Sequence, residues 1–90
     1  MAVPMDRQFA ELLEFAERAG IEIRHAHLGG DSGGLAKMKN KRILFIDLDA
    51  TALDQLEQTA RALASAPELE TQYLRPDLRQ LIEHWSENKQ

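Results

Sequence analysis

Arg42-Ile43-Leu44-Phe45-Ile46-Asp47-Leu48-Asp49-Ala50-Thr51 decides the fold of this 90-residue chain. Four consecutive apolar residues, Ile43 to Ile46, bounded by charge on both sides, have the length and β-branched character of a buried strand. Thr51-Ala52-Leu53-Asp54 then resembles a capping box with aspartate in place of glutamate, and it opens a helix. Leu53, Leu56, Ala60, Leu63 and Ala64 form the apolar stripe of that helix, and Pro67 stops it.

Upstream, Leu35 to Lys39 reads as a strand joined to the first by a two-residue turn at Asn40-Lys41, because asparagine tolerates positive φ. That turn pairs Met38 with Ile43 and Ala36 with Phe45. Met38, Ala36, Ile43 and Phe45 then share one face, and Leu35, Leu44, Ile46 and Leu48 share the other, with Lys37 among them. Gly29-Gly30-Asp31-Ser32-Gly33-Gly34 is expected to be a mobile hairpin loop. Ile21 to Leu28 alternates as a half-buried strand, with Ile21, Ile23, His25 and His27 on one side. Asp6 to Ala19 is a helix whose stripe is Phe9, Leu12, Leu13, Ala16 and Ala19; Phe15 lies off it, and Gly20 ends it. Downstream, Leu69, Tyr73 and Leu74 pin a connector to the core. Pro76 and Asp77 open a last helix on Leu78, Leu81, Ile82 and Trp85. The fold class is α+β: a three-stranded antiparallel sheet with two to three packed helices, in the order α-β-β-β-α-α.

Length allows one domain, residues 1–90, with 1–5 and 86–90 as loose ends. Apolar residues make up 43% and charged residues 29%, which is ordinary for a soluble globular protein. A net charge of -4 disfavours unspecific binding to nucleic acid or anionic membrane. The chain has no cysteine, which excludes disulfides and thiolate zinc sites and fits a reducing, cytoplasmic setting. The N-terminus lacks the apolar core of a signal peptide, and no apolar run is long enough to span a membrane.

Four groups carry possible chemistry. Asp47 and Asp49, at the end of a buried strand, resemble the first motif of haloacid-dehalogenase-type phosphohydrolases. That resemblance implies Asp47 as nucleophile, Asp49 as acid/base and magnesium between them. The plainer expectation is a strand end and helix cap. Ala50 stands where that family has glycine, and the remaining chain lacks its other motifs. His25 and His27 could begin a metal site with Asp31 or His84, but the spacing supplies no third ligand; two partly exposed histidines are expected, with no metal or cofactor. The glycine run lacks the lysine and hydroxyl of a P-loop. Lys37, Lys39, Lys41 and Arg42 form a basic hairpin tip. The element order also resembles double-stranded RNA-binding domains, yet aspartates occupy the phosphate-facing helix start, so nucleic acid is not the expected partner.

Residues 8–66 are similar in pattern to the N-terminal half of ImmA/IrrE-type metallopeptidase domains: a helix ending in Ala-Gly-Ile-Glu-Ile-Arg, a glycine-rich hairpin, a strand ending in Ile-Asp, then a helix. The resemblance implies HExxH at Arg61-Ala62-Leu63-Ala64-Ser65. Arg61 and Ser65 do not serve as zinc ligands there and Ala62 cannot accept a proton, so it implies a non-catalytic relative. The functional expectation is a small non-enzymatic module that self-associates or binds another protein. Its interface candidates are Leu35, Leu44, Ile46, Leu48, Tyr73 and Trp85.

Overall fold

The computed structural model describes residues 5–87. Helix α1 spans Met5–Arg18, strand β1 Glu22–Ala26, β2 Gly34–Met38, β3 Lys41–Asp47 and helix α2 Ala52–Leu63. A 3-10 turn at Pro67–Glu70 leads to helix α3, Pro76–Glu87. The class is α+β in the expected order. Met5, Ser86 and Glu87, expected among the loose ends, belong to α1 and α3; the remaining end residues, 1–4 and 88–90, lie outside the described residues.

The sheet is mixed, which corrects the all-antiparallel expectation. Its order is β1-β3-β2, with β2 antiparallel and β1 parallel to β3. The two-residue turn holds β2 on one edge of β3, so β1 takes the other edge. The connection at residues 27–33 must then pass from the end of β1 over β3 to the start of β2. Strands sit about 4.8 Å apart, so this step crosses about 10 Å and is easily reached only if β1 ends where β2 begins. That condition makes β1 parallel to β3. The glycine run is therefore a crossing loop and not a hairpin loop.

The turn itself is Lys39-Asn40, with Met38 opposite Lys41, Ala36 opposite Ile43 and Leu35 opposite Leu44. The positive φ falls on Lys39, at 58°, and not on Asn40. The turn is thus displaced one residue from its expected place, which moves the register by two. Since the side-chain period of a strand is two, every residue keeps its face.

All the helices that touch the sheet do so on one side: α1 against β1, and α2 against β2 and β3, with α3 packed on α2. Leu12, Phe15, Ala16, Leu44, Ile46, Leu56, Ala60, Leu63, Leu78 and Ile82 form the core. Phe15, which the stripe left out, is fully buried, because the buried line of α1 runs Leu12-Phe15-Ala16-Ala19. Gly20, at φ 82°, ends α1 in a Schellman motif: Ile21 N–H bonds to Ala16 O and Gly20 N–H to Glu17 O, both at 3.0 Å. Thr51 caps α2, its hydroxyl accepting the Asp54 N–H at 3.1 Å. Arg42 points to the helix side and donates to Glu68 at 2.9 and 2.7 Å and to Ala19 O at 2.8 Å, tying β3 to the end of α1 and to the 3-10 turn. Tyr73 does not pin the connector: it is 75% exposed, while Leu74 is buried. No helix among the described residues is long and apolar enough to cross a membrane.

Candidate interaction face and aspartate clasp

β3 places alternate residues on opposite sides of the sheet. Leu44 and Ile46 face the helices and are 0% and 2% exposed. They are core residues and offer nothing to a second chain, which corrects their place among the interface candidates. Leu35 and Trp85 are half-buried against the same core. Leu48 and Tyr73 are exposed. The expected extra apolar face is therefore the covered one; both faces of β3 are apolar, and strand periodicity cannot say which of them the helices choose.

On the opposite face lie Ala36 and Met38 from β2, Ile43 and Phe45 from β3, and Ala26 from β1, where no helix of the described residues packs. Met38 is 55% exposed and Phe45 half-buried. Ile43 is almost wholly buried there, under Arg24, Met38 and Lys41, with which it lines a cleft of about 470 Å³. Glu22 draws the cations of this rim together: it pairs with Arg24 and, at 3.1 Å, with Lys41 Nζ. Hydrogen bonds from Arg24 first, then from Lys41, hold its carboxyl below the ordinary range. The sequence signal for this face was present, since Met38, Ala36, Ile43 and Phe45 already grouped together; Glu22, Arg24 and Lys41 become its rim only through the β1–β3 pairing.

The two aspartates serve the crossing loop. Asp47, with no exposed surface, accepts N–H bonds from Leu28 (3.0 Å) and Asp49 (2.9 Å) on Oδ1 and from Gly30 (2.7 Å) and Ser32 (3.2 Å) on Oδ2. A carboxylate has about four lone-pair sites, and all are taken. Burial pushes its carboxyl upward, but the four N–H bonds outweigh it and the carboxyl lies below the ordinary value. Asp49 accepts from Gly29 N–H at 2.9 Å and meets His27 Nδ1 at 2.8 Å; the His27 bond and then the Gly29 bond lower its carboxyl as well. From α2, the Gln55 amide donates to Asp47 O (3.0 Å) and Ala50 O (3.2 Å), and the Gln58 amide donates to Gly30 O (3.1 Å). The clasp explains why a carboxylate is needed at the end of β3: a loop that crosses a strand end turns a row of N–H groups inward, and they need an acceptor there. As folded, Asp47 has no lone pair left for a magnesium ion or for attack on phosphorus.

The histidines part company. The strand ends at Ala26, so His27 lies beyond it on Asp49, while His25 stays exposed on β1. Among the described residues no three His, Asp or Glu side chains converge as metal ligands. The basic tip divides too: Arg42 turns inward, and Lys37, Lys39 and Lys41 stay exposed. Comparison of the chain with protein-family models, with curated proteins and with solved structures finds no match.

Proposed function

We propose that this chain is a small non-catalytic interaction module that docks another protein surface on its uncovered sheet face. The observation that carries this reading is the face itself: Ala36, Met38, Ile43 and Phe45 lie side by side with no helix over them among the described residues, while α1, α2 and α3 gather on the other side. A sheet with both faces apolar gains by covering the second, and a chain of this size buries only about 60–65% of its unfolded surface alone. The complete use of the Asp47 lone pairs by backbone N–H groups supports a structural role for the aspartates. The same reading treats the scaffold as a non-catalytic relative of ImmA/IrrE-type domains, with Arg61 on α2 and Ser65 just past its end where zinc ligands would stand.

The test is site-specific photo-crosslinking in cells. A benzophenone-bearing residue at position 36 is expected to give a discrete protein adduct, whereas the same residue at exposed position 83 on α3 gives none. Equal labelling at the two positions, or no adduct at position 36, would remove the docking face.

A further inference from the structure

A second stripe on α2 faces the crossing loop. Gln58, Arg61, Ala62 and Ser65 stand at i, i+3, i+4 and i+7, one helical line that runs on past Leu63 to Ser65. Across from it lie Asp31, Gly33 and Gly34 of the loop and Leu35 of β2, and Ser86 of α3 closes one end. Together they border a cleft of about 410 Å³, at the small end of the ~300–1,000 Å³ in which proteins hold small molecules.

Two polar atoms of this stripe are shielded from solvent and have no hydrogen-bond partner among the described residues: Gln58 Oε1, an acceptor, and Arg61 Nε, whose N–H is a donor. The rest of each group is tied down. The Gln58 amide nitrogen donates to Gly30 O at 3.1 Å, and one Arg61 Nη donates to Glu57 at 2.5 Å. A buried polar atom without a partner costs free energy. Both side chains line the cleft on rotatable stems, so a molecule that draws each atom round into a bond recovers that cost. The two residues are three apart on the helix, with about 5–6 Å between their Cβ atoms. A small molecule that reaches both therefore carries an N–H donor and an acceptor close together.

Charge narrows the choice. Asp31 stands on the loop side of the cleft and Arg61 on the helix side. A plain anion would meet Asp31, and a plain cation would meet Arg61. A molecule with both charges finds an opposite charge at each. A carboxylate matches the guanidinium fork, and the three N–H groups of an ammonium suit Asp31 and Gln58 Oε1. Leu35 and Ala62, both half-buried, offer an apolar wall between the polar groups.

We propose that this cleft binds a small zwitterion of the α-amino-acid class with an apolar side chain, its carboxylate on Arg61 and its ammonium between Asp31 and Gln58. The site lies on the helix side of the sheet and is independent of the docking face proposed above.

The experiment titrates L-leucine into the isotope-labelled full chain and follows amide chemical shifts. Isopentylamine, which lacks the carboxylate, and isocaproate, which lacks the ammonium, are the controls. Leucine is expected to give saturable shifts at Gly33, Gly34, Arg61 and Ser65, with Lys39 and Phe45 unmoved. Each control should bind at least about tenfold more weakly, the worth of one charged hydrogen-bonding group. Arg61→Met should weaken leucine by about the same factor, and so should Asp31→Asn at its exposed loop position. Circular dichroism confirms that each variant is folded, and Asp31→Asn alone decides the matter if Arg61→Met is not. No saturable shift with leucine at millimolar concentration, equal binding of either control, or leucine binding indifferent to a folded variant overturns the site.

Discussion

Gly33→Ala offers a sharp test of how the crossing loop is held. Gly33 is not among the glycines with positive φ, so a methyl group meets no backbone penalty there. The obstacle is steric: a Cβ would stand well inside van der Waals contact with Gln58 Oε1 and 3.1 Å from Phe45 O. The carbonyl oxygen sits on β3 and cannot move far. The Gln58 side chain can, but leaving its place breaks its bond to Gly30 O. Losing that bond costs about 1 kcal/mol, and crowding adds about 1–2 kcal/mol. The smaller freedom of alanine in the unfolded chain returns about 0.5 kcal/mol. The expected net loss is about 2 kcal/mol, or a fall in Tm of about 8–16 °C for a chain of this length. Urea and thermal denaturation of Gly33→Ala, Gln58→Ala and the double variant form the assay. If Gln58 is the obstacle, the double variant is more stable than the sum of the single effects by about 1 kcal/mol or more. A Gly33→Ala protein as stable as wild type, or strictly additive effects, would refute the reasoning.

Three other outcomes are expected. Asp47→Asn replaces an acceptor-only group by one that carries two N–H donors, so the amides of Leu28, Gly30 and Ser32 should exchange with solvent faster while the amides of β3 stay protected; unchanged exchange in the loop would contradict the clasp. Leu44→Ala should cost about 3 kcal/mol in chemical denaturation, whereas Phe45→Ala on the uncovered face should cost the monomer well under half as much; equal losses would mean that the faces are assigned wrongly. Asp47, Asp49, Glu22 and Glu68 all have carboxyls held below their ordinary values, near 3.8 for aspartate and 4.5 for glutamate. The folded state therefore binds fewer protons than the unfolded one in acid. Their contribution is complete above about pH 5 and is lost as pH falls through the lowered folded values. A denaturation series should show stability falling steadily below about pH 4.5, and a flat profile down to pH 3 would contradict the sign.

The elements of this chain follow from local rules. Apolar stripes, Gly20, Thr51 and Pro67 state where α1 and α2 begin or end, because caps and breakers act over a single turn. The grouping of Met38, Ala36, Ile43 and Phe45 survived even a misplaced turn, because a displacement of two residues preserves strand parity. Asp47 and Asp49 were visible as a pair, but their hydrogen-bond partners at residues 27–30 and 32 could not be read, since these lie across a strand end that the sequence does not draw.

The tertiary structure decided two things. The first is the direction of β1: nothing within Glu22–Ala26 states which strand it will meet, and its parallel pairing follows only once β2 has taken one edge of β3 and a short loop must bridge the rest. The second is which face of the sheet is dry. β3 is apolar on both sides, so the choice falls to α1 and α2, whose stripes close over Leu44 and Ile46 and leave Ile43 and Phe45 on the uncovered side. Periodicity along one strand sorts side chains into two sets, and only packing against distant segments gives each set its environment.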